Sequence, residues 1–154
     1  MLAVDFYAVV VAVHVMAIVI AFGVTFAYPL MGPFIGQNAP QATATFHRLQ
    51  ERLGKLLITP FATLALITGI YLAADHDLFD KSWVQIPMGI LIVLLGLGGA
   101  FFAPSARKLA DLAEQKPGSP EYFAGLDRVK KVGILADVLV LVAIFFMVAK
   151  PGGY

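Results

Sequence analysis

His14 stands apart from every other side chain here that could do chemistry. It lies about nine residues into a run, Phe6 to His47, with no Asp, Glu, Lys or Arg. A run this long and apolar is a membrane span, because about 20 apolar residues cross a bilayer core. At ~1.5 Å per helical residue, His14 is then ~13 Å below the membrane surface, close to mid-depth. Ionisable groups there are costly to bury and mark functional sites. A neutral imidazole at that depth can be an axial haem ligand, a copper ligand or a proton carrier. It can equally hydrogen-bond a backbone carbonyl or a threonine such as Thr63 or Thr68, holding two helices in register. The residues alone leave these readings open.

Asp137 is the second candidate, in Gly133-Ile134-Leu135-Ala136-Asp137. It reads as a carboxylate about one turn inside the fourth span, serving either as half of an ion pair or as a proton relay. Lys55 is its leading expected partner, with Lys130 and Lys131 as alternatives and Thr59 as a bridge toward His14. Thr59-Pro60 predicts a kink in the second span, because proline frees a carbonyl one turn back. Gly89, Gly96, Gly98 and Gly99 predict close helix packing in the third span. His47 and His76 read as surface histidines at opposite membrane boundaries. No second histidine shares the depth of His14, so bis-histidine ligation is excluded. One haem with one histidine remains, with Met16 or Met88 as sixth ligand. The five Met residues form no soft-metal track, and the absence of Cys removes thiolate sites and disulfides.

The elements that must position these residues follow from composition. Of 154 residues, 60% are hydrophobic, against about 45–50% in soluble domains. The mean hydropathy is +0.85. The chain reads as one all-α integral membrane domain over residues 1–154, a four-helix bundle. Its spans are expected at about 6–30, 56–74, 83–103 and 132–149. Met31-Gly32-Pro33 should break the first, Pro104 should bend or end the third, and Lys150-Pro151-Gly152-Gly153 should end the fourth. Asn38 and Ser119 are expected to cap helices that run on into the second and fourth spans, and Ala106–Gln115 to form a short surface helix. A net charge of +1 implies no nucleic-acid partner. The expected partner is the lipid bilayer, and a protein partner or a second copy is left unspecified. The first five residues lack the basic start of a cleaved signal peptide, so the first span is expected to stay.

Charge orients the spans. The two connections after spans one and three hold nine of the 11 Lys and Arg residues. The opposite side has Lys81 and Lys150 beside Asp5, Asp75, Asp77 and Asp80. The positive-inside rule then places both termini outside and the basic connections in the cytoplasm. Tyr7, Tyr71, Trp83 and Tyr154 fall at the outer interface, where aromatic belts sit. The expected location is a bacterial inner (plasma) membrane.

Certain residues also carry a family likeness. His14-Val15-Met16-Ala17 with Gly23 and Pro29 resembles the first helix of HemJ-type protoporphyrinogen oxidases and of a sister group of uncharacterised bacterial membrane proteins. Copper resistance protein D membrane domains look like more distant relatives. Arg52-Leu53, Ile58-Thr59-Pro60 and Gly69 are similar to the second HemJ helix, and Val148-Ala149-Lys150-Pro151 to its closing residues. The resemblance implies that His14 is a haem ligand and that haem b is the cofactor. It also shows a departure. The HemJ type has a lysine needed for activity early in its third helix, whereas Trp83–Met88 has none and Lys81 lies just outside. The likeness therefore implies the sister group over the oxidase. A non-enzymatic accessory or scaffold subunit is the alternative from another class, and whether the chain is an enzyme is left open.

Overall fold

A computed structural model describes residues 5–153. Among these the chain is helical throughout, with no strand. Four long rods, Phe6–Asn38, Pro40–Asp75, Ser82–Gln115 and Pro120–Ala149, are each apolar and long enough to cross a membrane. The first comprises α1 (Phe6–Phe22), a 3₁₀ turn (Gly23–Ala27) and α2 (Tyr28–Asn38). The second comprises a 3₁₀ turn (Pro40–Ala42), α3 (Thr43–Leu53), a π turn (Gly54–Ile58) and α4 (Thr59–Asp75). The third comprises α5 (Ser82–Leu97), a π turn (Gly98–Phe102) and α6 (Ala103–Gln115). The fourth is α7 (Pro120–Ala149).

The second and fourth rods begin where the sequence places them, at Pro40 and Pro120, whereas the first and third run further than it predicts, and the prolines show how. Pro60 and Pro104 each lack an N–H, and their rings crowd the carbonyl four residues back. Each is preceded by a π turn that widens the helix at that carbonyl. There the bonds reach back five residues, from Thr59 N–H to Gly54 O and from Ala103 N–H to Gly98 O. Pro104 therefore does not end the third rod, and α6 continues it from Ala103. Pro29 likewise follows the 3₁₀ turn, and α2 passes through Pro33 to Asn38. Met31-Gly32-Pro33 is no break. Asn38 is not an N-cap either: its side chain donates to the Phe34 carbonyl at 2.9 Å. Ser119 does cap, accepting from Tyr122 N–H at 3.2 Å. After Ala149 the chain turns through Lys150 in the left-handed region, and Trp83 Nε1 donates to the Gly153 carbonyl at 3.0 Å. Tyr154 lies outside the described residues.

Packing follows membrane rules. Large apolar side chains such as Phe6, Leu30 and Phe145 face outward, since lipid tails solvate them as well as protein does. Small residues let the backbones meet. Ala17 and Ala21 of α1 and Ala62 and Ala65 of α4 are at most 1% exposed. The close approach lies there and not at the glycines of the third rod. A Cβ added at Gly89, Gly96, Gly98 or Gly99 would meet nothing within 4 Å. Around the ring, α1 lies along α4, α4 meets α5, and α5 lies along α7. The end carrying the termini is called the terminal end here, and the opposite one the basic end.

At the basic end α3 packs on α6. Glu51 accepts from Lys55 Nζ at 2.7 Å and from Arg107 at 2.9 and 3.1 Å. Arg48 forks onto Asp111 and Glu114. His47 is not a surface residue: it is 3% exposed. Its Nδ1 donates to Gln50 Oε1, and Tyr122 donates its hydroxyl proton to Nε2, both at 2.9 Å. His76, at the terminal end, is exposed as expected, with Tyr7 edge-on to its ring.

Two outcomes test this joint. Tyr122→Phe strands a buried imidazole nitrogen, so it should cost about 1–3 kcal/mol in a detergent unfolding titration. A change below a few tenths would show that the His47–Tyr122 bond does not hold α3 to α7. The Lys55 ammonium, then the Arg107 guanidinium, hold the Glu51 carboxyl below its usual range. Its contribution is therefore complete above the unfolded glutamate pKa of about 4.3 and is lost as pH falls through the lower folded value. Glu51→Gln should lower the melting temperature at neutral pH and converge with wild type in acid. Equal deficits at both pH values would contradict this assignment.

Candidate functional site

His14 reaches across from α1 to α4. Its Nδ1 lies 2.8 Å from the Ala65 carbonyl oxygen and 3.0 Å from Thr68 Oγ1. A carbonyl only accepts, so Nδ1 carries the proton and donates. The Thr68 hydroxyl sends its own proton to the Leu64 carbonyl at 2.8 Å, leaving a lone pair for Nδ1–H. The tautomer is thereby fixed. Nε2 keeps its lone pair and has no hydrogen-bond partner among the described residues. Thr63, the other threonine expected nearby, bonds instead to Thr59 O in its own helix.

Gly69 makes room for the ring. A Cβ there would stand 3.0 Å from His14 Cε1 and 3.5 Å from Nδ1. The sequence pattern makes the pocket in the same way: Ala65 and Gly69, one turn apart on α4, leave the volume that the imidazole takes. Ala65 is wholly buried, so its carbonyl has no competing water.

His14 also lines a cavity of about 260 Å³ at the centre of the bundle. All four rods contribute, through Ile18 and Phe22, Leu66 and Gly69, Pro87 and Leu91, Val140 and Ala143 among others. Among the described residues His14 is the only ionisable side chain on its wall. Met88 and Met147 bring two thioethers to the same cavity. Of the two methionines proposed beside His14, Met88 is therefore placed with it. Met16 is on the outer face, 55% exposed.

Asp137 and Lys55 are not brought together. Lys55 is paired with Glu51, one turn away on its own rod. Asp137 Oδ1 lies 2.7 Å from Thr25 Oγ1, which also lies 2.8 Å from the Phe22 carbonyl. Thr25, on the 3₁₀ turn, takes the place expected for a lysine. Lys131, another expected partner, pairs with Asp127 at 2.7 Å. Thr25 has one proton for two acceptors. When Asp137 is ionised the proton serves the carboxylate; a protonated Asp137 donates to Thr25 and frees that proton for Phe22 O. Thr59 and Pro60 form the start of α4 after the π turn, below the cavity and absent from its wall. Among the described residues no cluster of three His, Cys, Asp or Glu side chains could hold a metal ion.

Sequence reading missed Thr25 and Met147. A lone Thr in an apolar run gives a weak signal, since hydroxyls in membrane helices usually bond back to their own carbonyls. Met147 shares the α7 stripe of Val140, Ala143 and Ile144, and that stripe's facing direction is a tertiary fact.

A family profile described as "Predicted integral membrane protein (DUF2269)" matches residues 8–151. No curated protein and no solved structure matches the chain.

Gly69→Ala tests the seat of the imidazole. The new methyl group must displace the ring or part α1 from α4, costing about 1–3 kcal/mol of overpacking. Gly89→Ala, with open space around it, should be neutral or gain up to about 1 kcal/mol of helix propensity. Equal effects of the two substitutions in detergent unfolding would remove the close-approach account.

Proposed function

Since the chain belongs to the DUF2269 family of predicted integral membrane proteins, we propose that it binds haem b in the bundle cavity, with His14 as axial ligand. One observation carries the reading. Among the described residues, the only ionisable group on an apolar cavity wall presents Nε2 without a partner, while its Nδ1–H is held by a backbone carbonyl. Metal-bound histidines have this arrangement, because the bond at one nitrogen fixes the ring and raises the basicity of the other. The donor atoms suit an iron porphyrin, with one imidazole and two thioethers at Met88 and Met147; the cavity of about 260 Å³ would take only part of the ring, leaving its carboxylate edge outside the hydrocarbon walls. Haem, when bound, supplies a one-electron couple. The chain's residues orient the imidazole and exclude water from it.

The nine basic residues of the two connections support an inner-membrane protein with both termini extracytoplasmic. The HemJ-like oxidase reading is weaker. Lys81 sits at the start of α5 beside Asp80, with 3.2 Å between Nζ and Oδ2, and does not line the cavity. A second reading, a non-enzymatic accessory or scaffold subunit, is favoured by one fact. The two bonds from His14 Nδ1 tie α1 to α4 and would justify the residue structurally.

Purification in detergent from haem-supplemented cells, followed by an absorption spectrum, tests the proposal. The expected result is a Soret band that is lost in His14→Ala and strongly reduced in His14→Gln. No band in wild type, or one indifferent to His14, would overturn it. The scaffold reading expects His14→Gln or His14→Asn to preserve folding and partner binding, and loss of function with stability retained would count against it.

A further inference from the structure

Buried apolar side chains pack at each end of the cavity that faces water. Toward the terminal end, Ala73, Trp83 and Val84 are buried, with Leu78, Met88 and Phe146 packed against them. Toward the basic end, Ala21, Phe22, Ala62, Leu94 and Val140 form a second buried cluster. The side is different. α1 is packed on α4 and α7 on α5, while the first rod is tied to α7 where Thr25 meets Asp137. Above that tie, Val15 and Val19 of α1 and Ile144 and Val148 of α7 line the cavity. Yet they are 53%, 63%, 41% and 78% exposed; Ile70 of α4, 42% exposed, is the single other such lining residue among the described residues, and it stands alone on its helix. Residues that both line a cavity and face outward are the lips of an opening. In a membrane those lips face acyl chains, not water.

We infer that the cavity is filled sideways from the bilayer, by a lipid-dissolved molecule that passes between α1 and α7. The walls say what it presents. Its buried part is hydrocarbon apart from one group that accepts or shares the Nε2 lone pair of His14, a metal centre or a hydroxyl proton. A second polar group inside would go unpaired, which costs several kcal/mol in an apolar medium. A water-borne, charged ligand would have to cross packed apolar side chains at either watered end. The inference rests on the reading of the cavity as a ligand site, and not on the ligand being haem.

The test uses the whole chain, free of haem, in phosphatidylcholine vesicles containing a diazirine-labelled fatty alcohol. After illumination, wild type should carry adducts on Leu91 and Val140, which are 8% and 4% exposed and lie beyond the reach of lipid outside the bundle. Val19→Trp with Ile144→Trp fills the lips and should reduce those adducts several-fold. Both positions face lipid, so the fold should persist. Leu141→Trp, outward-facing and absent from the cavity wall, should leave them unchanged. Adducts confined to outward residues such as Phe145, or buried adducts indifferent to the double substitution, would overturn the inference. The two readings fail separately. Buried adducts without a Soret band would sink haem alone; a Soret band without buried adducts would sink the lateral route alone.

Discussion

The close approach of α1 to α4 is the contact on which the rest depends. Four alanines, Ala17, Ala21, Ala62 and Ala65, bring the two backbones together. In lipid there is little hydrophobic gain in hiding large side chains, so association relies on backbone proximity and on polar groups that cannot find water. Here both act at one place. Proximity brings the Ala65 carbonyl within 2.8 Å of His14 Nδ1, and that bond in turn fixes the tautomer. The site is a by-product of packing: the same small residues that join the helices leave the imidazole its seat and leave Nε2 over.

Around that contact the bundle is asymmetric. Two tight pairs, α1 with α4 and α5 with α7, are joined through α4 and α5. On the remaining side the Thr25–Asp137 bond and the packing of Val140 with Ala21 and Phe22 hold the first rod to α7 toward the basic end. Above that level Val15, Val19, Ile144 and Val148 line the cavity while facing outward. The polar residues that a water-soluble protein would spread over its surface are concentrated at the basic end, where Glu51, Arg107, Arg48 and Glu114 link α3 to α6. The apolar half and the charged half thus do different work: one makes a cavity, the other fixes the rods that frame it.

The prolines show the same economy of backbone. Three mid-rod prolines follow a non-α turn, a 3₁₀ turn before Pro29 and π turns before Pro60 and Pro104, while Pro33 and Pro87 lie within α2 and α5. In a medium without water, carbonyls left by a proline must be satisfied within the helix. Widening or tightening one turn is the local way to do it. The rods therefore continue as helices past residues that would end them in a soluble protein.

Much of this was legible in the residues. An uncharged run from Phe6 to His47, followed by three more apolar stretches, determines four helices, because only helices satisfy their backbone inside lipid. The same run isolates His14, and a ladder count puts Thr68 at its depth. The rod ends were less legible. Pro104 looks like a stop in sequence, because propensity does not foresee the compensating π turn, and Pro33 looks like one although α2 runs through it. Contacts between rods were not legible. Apolar helices have no polar face to say which side turns inward, so the sequence could not decide that Met88 and not Met16 joins His14. Nor could it decide that Asp137 meets Thr25 and not Lys55, or that His47 is buried under Tyr122. Those pairings depend on the rotation of each rod about its axis. Only packing sets that rotation, through alanine contacts whose directions appear when the four rods are assembled.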